Sequence, residues 1–189
     1  MKLKIIEDLF DEYTFYIIQN ECENLNYYLS DETYSIAKNR SNVKLNTLHF
    51  FYYLFYSPEI LYKIQQETGL DLKYSDLAPI EYRKYNLNSS MGWHKDTVLS
   101  NNGIPQFEMV FSVINNSDSK TYWIENNTNE ILPDNVIKNK DLPCNNSLFE
   151  IKSKPNSAII LQADDIQHSV SPLTNGNRTI IKVVYELNL

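Results

Sequence analysis

Glycine is scarce in this sequence, 4 of 189 residues, and cysteine scarcer still, with only Cys22 and Cys144. Two cysteines are too few for a disulfide framework, so stability has to come from an ordinary core, and the sequence fits a reducing compartment. Positive charge is also short: 17 Lys and Arg stand against 24 Asp and Glu, a formal net charge of −7. No general basic field draws the chain to nucleic acid or to an anionic membrane, although a local basic groove is not excluded. Long apolar runs are missing as well. The longest, Leu48–Tyr56, is far shorter than a membrane span. The opening Met1-Lys2-Leu3-Lys4-Ile5-Ile6-Glu7-Asp8 carries charge where a signal peptide would be apolar, so a cytoplasmic location is expected.

Tyrosine is abundant, 14 residues, within a bias towards Asn, Lys and Ile that suggests an AT-rich coding genome, viral or parasitic. The length suits a single domain, 1–189. Residues 1–78 read as a mainly helical layer. Between Ile5 and Leu29, Leu9, Tyr13, Tyr16 and Ile17, then Leu25, Tyr28 and Leu29, recur at helical spacing. From Asn46 to Thr68 a second, aromatic-rich helical stretch contains the start signal Ser57-Pro58-Glu59 and is ended by Gly69. His49, inside that stretch, reads as structural. From Pro79 onward the pattern changes to short strands of period two, at about 79–86, 92–97, 107–115, 120–125, 147–153, 157–163, 167–173 and 178–187. Helices first and strands afterwards predict an α+β chain. Residues 79–189 would form a double-stranded β-helix, a cupin-like jelly roll of about eight strands, on the N-terminal helical support. The polar stretch Glu125–Asn146, with Pro133 and Pro143, is the longest irregular piece, a lid or a loop.

Within Gly92-Trp93-His94-Lys95-Asp96-Thr97, His94 and Asp96 are two residues apart, so on an extended strand both point to one face. A distant histidine, His168 in Gln167-His168-Ser169-Val170-Ser171-Pro172, would complete a 2-His-1-carboxylate site, which leaves positions open on Fe(II). Ten residues beyond His168, Arg178 opens a strand. An inward-facing arginine needs an anionic partner, because an unpaired buried charge costs several kcal/mol. Arg83 shares a strand face with Tyr85 and could line the same pocket. Lys182 shares the Arg178 face and reads as surface, and Trp93 reads as core.

These residues carry a resemblance. The half from about residue 79 to 187 resembles the Fe(II)/2-oxoglutarate-dependent dioxygenase superfamily, nearest to its prolyl-4-hydroxylase-like branch. Tyr85 precedes His94 by nine residues, as a tyrosine precedes His-x-Asp in that branch. Lys154-Pro155-Asn156-Ser157-Ala158 resembles the family's Pro-Gly-x-Ala strand, and His168-Ser169-Val170-Ser171-Pro172 with Gly176-Asn177-Arg178 resembles its His-x-Val-x-Pro-Val and Gly-x-Arg ending. The resemblance implies a hydroxylase in which His94, Asp96 and His168 hold Fe(II), while Arg178 and Tyr85 hold 2-oxoglutarate. It also implies O2 as co-substrate, succinate and CO2 as co-products, and ascorbate as a candidate reductant. The substrate it implies is a peptide or protein side chain, or a small molecule.

Departures from the family pattern bear on the substrate. Asn86-Leu87-Asn88-Ser89-Ser90 stands where glycines are usual, Ser117-Asp118-Ser119 replaces a Gly-Gly step, and Ile180 takes a place where many relatives have a hydroxyl. They leave the iron site intact and put prolyl specificity in doubt. Two alternatives stay open. Met91-Gly92-Trp93-His94-Lys95-Asp96 also resembles the motif of AlkB-like nucleic-acid demethylases, though Val184 stands where that family has a second arginine. The other alternative is a jelly-roll module that binds metal without turnover.

Overall fold

The alternation of side chains along β12 (Arg178–Leu187) and β6 (Gln106–Asn115) divides the molecule into two sides. Ile181, Val183 and Tyr185 of one strand and Met109, Phe111 and Val113 of the other lie in the core shared with the helices. Arg178, Ile180, Lys182 and Val184, with Glu108 and Val110, line cavities on the opposite face. The computed structural model describes residues 3–33, 36–99, 103–126, 136–139 and 146–189.

The remaining strands are β1 (Leu3–Ile6), β2 (Ser30–Asp31), β3 (Ala37–Lys44), β4 (Leu72–Tyr74), β5 (Glu81–His94), β7 (Thr121–Asn126), β8 (Val136–Asn139), β9 (Asn146–Ile151), β10 (Ser157–Gln162) and β11 (Gln167–Val170). The sheet runs β1-β10-β6-β12-β5-β11-β7-β9-β8, with β3 also on β5, β2 on β3 and β4 on β12. Every pairing is antiparallel, and the curled sheet forms the expected double-stranded β-helix. The 14-residue β5 links its two parts. Its first half pairs with β12, from Glu81 opposite Lys182 to Tyr85 opposite Arg178, and its end pairs with β11, His94 opposite His168.

Three α-helices cover the other face: α1 (Glu12–Leu25), α2 (Phe50–Phe55) and α3 (Pro58–Thr68). Asp11 caps α1 through the amide of Thr14, and Ser57 caps α3 through that of Ile60. Pro58 opens α3 and Gly69, at φ +72°, ends it, as the sequence predicts. Ile18, Phe51, Phe55 and Ile64 from these helices are fully buried against the sheet. Each such side chain contributes about 1.5–3 kcal/mol. His49 caps α2 through the amide of Phe51 and meets Glu21 at 3.0 Å, which is the structural role expected of it. Among the described residues no helix is long and apolar enough to cross a membrane.

The structure corrects the sequence reading in several places. Among the described residues of 1–78 there are four strands besides the helices: β1 precedes α1, and β3 is a full partner of β5. Leu3–Ile6 belongs to the sheet because it pairs with β10, and Asp8 in a left-handed conformation (φ +50°) separates it from the helix. The strands expected at 79–86 and 92–97 are one strand, and Asp96 lies two residues beyond its end. Inside the stretch expected to be irregular, β8 pairs with β9, while residues 127–135 and 140–145 lie outside the described residues.

Candidate metal centre and co-substrate pocket

His94 and His168 are directly opposite one another on β5 and β11, so the sheet register sets their spacing. Their ring centroids are 4.2 Å apart. The backbone amide of Asp164, in the turn before β11, donates to Asp96 O at 2.9 Å and ties the chain after β5 to that turn. Asp96 Oδ1 stands 3.8 Å from His94 Nε2, and Asp96 Oδ2 stands 3.5 Å from His168 Nε2. Both distances are too long for hydrogen bonds. The three residues each offer a ligand atom, all within 4.8 Å of one another.

The tautomers follow from the backbone. His94 Nδ1 lies 2.8 Å from the carbonyl of Gly92, and His168 Nδ1 lies 3.2 Å from that of Ile166. A carbonyl can only accept, so each Nδ1 carries the proton and each Nε2 keeps a free lone pair. Burial pushes the His94 imidazole below its usual pKa and His168 beside it adds to the effect; burial does the same to His168. Both rings are held neutral, as metal ligation requires. His94 Nε2 and Asp96 Oδ2 are buried and have no hydrogen-bond partner among the described residues.

Arg178 and Tyr85 meet deeper in the barrel. The Arg178 guanidinium lies 4.9 Å from the Tyr85 ring and donates to Ser119 Oγ at 3.2 Å and Thr121 Oγ1 at 2.7 Å. It is 2% exposed and pairs with no carboxylate among the described residues. Burial accordingly pushes its pKa below the ordinary value. A second buried arginine, Arg40 on β3, lies 5.4 Å from the Tyr85 ring and donates from Nη1 to the phenol oxygen at 3.1 Å. Burial opposes ionisation of Tyr85, but Arg40, Arg178 and Arg83 together outweigh it and bring the phenol below its ordinary pKa. The space between Arg178 and the two histidines is about 30 Å³, lined by Arg83 and Glu108 and by the apolar Val110, Ile159, Leu161, Val170 and Ile180.

A larger cavity of about 420 Å³ opens beside His94 and Asp96. Arg83 is buried in its wall, as its shared face with Tyr85 allows. Lys182 also lines it and meets Glu108 at 2.5 Å, so it is an interior residue rather than the surface one expected. Trp93 is 44% exposed and so is not core. Arg40, Glu32 and Glu108 escaped the sequence reading. Glu108 left a signal, the single charged residue of its strand, set between Phe107 and Met109. Arg40 left none, because the polar run Lys38-Asn39-Arg40-Ser41-Asn42 has no apolar alternation.

No protein-family model matches the sequence, and no curated protein matches it. Solved structures match in 183 chains, so the likeness does not hang on one neighbour. A prolyl-4-hydroxylase from Pseudomonas putida superposes with a TM-score of 0.65 at 10% identity, over 100% of this chain and 93% of that one. A prolyl hydroxylase from Trichoplax adhaerens, in complex with a peptide fragment of the hypoxia inducible factor oxygen degradation domain, gives 0.68 at 10% identity over 98% and 83%. HygX from Streptomyces hygroscopicus, with nickel, 2-oxoglutarate and hygromycin B bound, gives 0.66 at 12% identity over 100% and 84%. At these identities the likeness is one of fold. The chain has the double-stranded β-helix of the Fe(II)/2-oxoglutarate oxygenases, prolyl-4-hydroxylases among them.

Proposed function

We propose that this protein is an Fe(II)- and 2-oxoglutarate-dependent dioxygenase that hydroxylates a C–H bond of a protein side chain or a small molecule. The observation that carries the reading is the convergence of His94, Asp96 and His168 with His94 Nε2 and Asp96 Oδ2 buried and unpaired. Leaving a buried polar atom without a partner costs about 1–3 kcal/mol, and a metal bond removes that cost. Two neutral imidazoles and one carboxylate form the donor set that suits non-haem Fe(II) and leaves positions open. The residues therefore fit the metal.

They also fit 2-oxoglutarate. Arg178 is a buried cation steadied by two hydroxyls, and the distal carboxylate of a dicarboxylic acid is the partner that its fork lacks. Tyr85 accepts from Arg40, so its own hydroxyl proton is free to donate to the same carboxylate. The apolar walls would keep water from the bound acid. With about 30 Å³ free, the pocket admits the co-substrate only if side chains move. Bound iron, with 2-oxoglutarate and O2, supplies the oxidation: one oxygen atom enters the substrate C–H bond and the other enters succinate as CO2 leaves. Val184, on the cavity face, offers no second arginine, which supports hydroxylation over nucleic-acid demethylation.

Anaerobic addition of Fe(II) and 2-oxoglutarate is expected to produce a visible charge-transfer band, and His94→Ala or Asp96→Ala to abolish it. Variants that bind iron as tightly as the parent would remove the basis of the assignment. Slow succinate release without substrate, in air and with ascorbate present, would separate an oxygenase from a module that only binds metal.

A further inference from the structure

The wall of the larger cavity carries charge of both signs, although interior strand positions nearby are apolar. Glu81 and Arg83 on β5, Lys182 on β12 and Glu108 on β6 all line it, beside His94 and Asp96. Glu81, Arg83 and Glu108 are each less than 9% exposed. Towards Arg178 the lining keeps Arg83 and Glu108 but turns mainly apolar, with Val110, Ile159, Leu161 and Ile180. Apolar residues at the charged positions would fold at least as well, because taking ions out of water costs several kcal/mol each and pairing them seldom returns more than that. Stability therefore does not account for the charged strip.

The charges are paired with one another along the wall. Arg83 Nη2 meets Glu81 Oε2 at 2.6 Å, and Lys182 Nζ meets Glu108 Oε2 at 2.5 Å. Arg83 Nε also donates to Glu81 Oε2 at 2.8 Å and stands 3.5 Å from Glu32 Oε1. The wall thus offers donors and acceptors a few ångströms apart, next to the metal centre. A group of one sign would satisfy half of it and leave the other half desolvated.

We propose that the substrate is a small free zwitterion of the α-amino-acid type, its carboxylate held by Arg83 and Lys182 and its ammonium by Glu81 and Glu108. This rests on the oxygenase reading above and selects among its substrates. The cavity volume, about 420 Å³, is near the low end of small-molecule pockets. A residue inside a peptide brings neither terminal charge to the strip. At the rim Lys44 and Lys95 are exposed, which favours entry carboxylate first.

The test is succinate release by the Fe(II)-loaded protein with free L-amino acids, their N-acetyl and C-amide forms, and short peptides of the same residues. At least one free amino acid is expected to raise the rate at least tenfold over the substrate-free rate, with a product heavier by one oxygen atom. Blocking either terminus should reduce that stimulation roughly tenfold, the loss of one charge-assisted contact. Lys182→Met, made together with Glu108→Gln so that no buried charge is stranded, should raise KM for that amino acid at least tenfold and keep the Fe(II)·2-oxoglutarate absorption band. No stimulation by any free amino acid, or equal stimulation by blocked forms or peptides, would overturn the zwitterion proposal. Absence of the absorption band in the unaltered protein would overturn the oxygenase reading instead.

Discussion

Arg178 and Arg40 are both buried beside Tyr85, but they do different work. Arg40 has its anion, Glu32, with Nε to Oε2 at 2.5 Å, whereas Arg178 meets only hydroxyls among the described residues. Arg178→Met should therefore raise the 2-oxoglutarate concentration for half-maximal succinate release at least tenfold, since a charge-assisted bidentate contact contributes about 1.5–3 kcal/mol. Iron affinity should change little; lost iron binding with unchanged co-substrate affinity would contradict the role given to Arg178. Arg40 occupies the phenol's acceptor site, and on the proposed function it would act on the co-substrate through Tyr85. Arg40→Gln, made with Glu32→Gln so that no buried charge is left unpaired, should raise the same half-saturation several-fold. In a Tyr85→Phe background the pair should add nothing, and a full additional effect in that double-mutant cycle would show that Arg40 acts independently of the tyrosine. At this scale His94, Asp96 and His168 could be singled out from the His-x-Asp spacing and a distant histidine, although Asp96 lies beyond the end of β5, while Arg178 and Tyr85 are named through the family resemblance. Arg40 could not, because its strand faces charge rather than an apolar core and so lacks the pattern that reveals strands.

The loop before β12 shows how an element delivers a site residue. Gly176 has φ +82°, and a Cβ there would lie 2.6 Å from the carbonyl oxygen of Asn116 and 2.7 Å from Ser117 Cα. Asp118 clamps the same loop by accepting from the amides of Thr174 and Asn175 and from the Thr174 hydroxyl. Arg178 follows two residues after the glycine, so its position depends on this close backbone contact. Gly69 also has a positive φ, +72°, but open space around it. Urea denaturation should accordingly separate the two alanine variants. Gly69→Ala should cost about 1 kcal/mol from backbone strain alone. Gly176→Ala should cost clearly more and should weaken 2-oxoglutarate binding as well; equal costs would mean that the loop can retreat freely. Elements with chemical punctuation were legible in the sequence, as α3 was from Ser57-Pro58 and Gly69. Elements defined only by a distant partner were not: β1 exists because it pairs with β10, and nothing within Leu3–Ile6 distinguishes it from a helix start.

Across the whole molecule the helical and β-rich halves share one core. Ile6, Leu9, Phe10, Ile18, Phe51, Phe55 and Ile64 pack with Met109, Phe111, Ala158, Ile160, Ile181 and Tyr185 in a single cluster. Phe10, Phe55 and Phe111 meet edge to face, with centroids 5.3–5.5 Å apart. Asn156 joins the halves across 146 residues of sequence. Its side chain accepts from the amide of Phe10 at 3.0 Å and donates to the Phe10 carbonyl at 2.7 Å, while its own carbonyl accepts from the amide of Leu9. Its φ of +61° explains why the motif it resembles has a glycine there, and asparagine tolerates that conformation while adding the two bonds. Asn156→Gly keeps the backbone geometry and removes the side-chain bonds, with a smaller added cost from the more flexible unfolded chain. It should destabilise the protein by about 1–3 kcal/mol, the cost of stranding the buried Phe10 groups. If residues 1–189 form one domain, ellipticity from the helices and fluorescence from the buried Trp123 should be lost at the same urea midpoint in both the parent and this variant. Two separated midpoints would mean that the helical layer and the barrel unfold as distinct units, and that the shared core is weaker than its packing indicates.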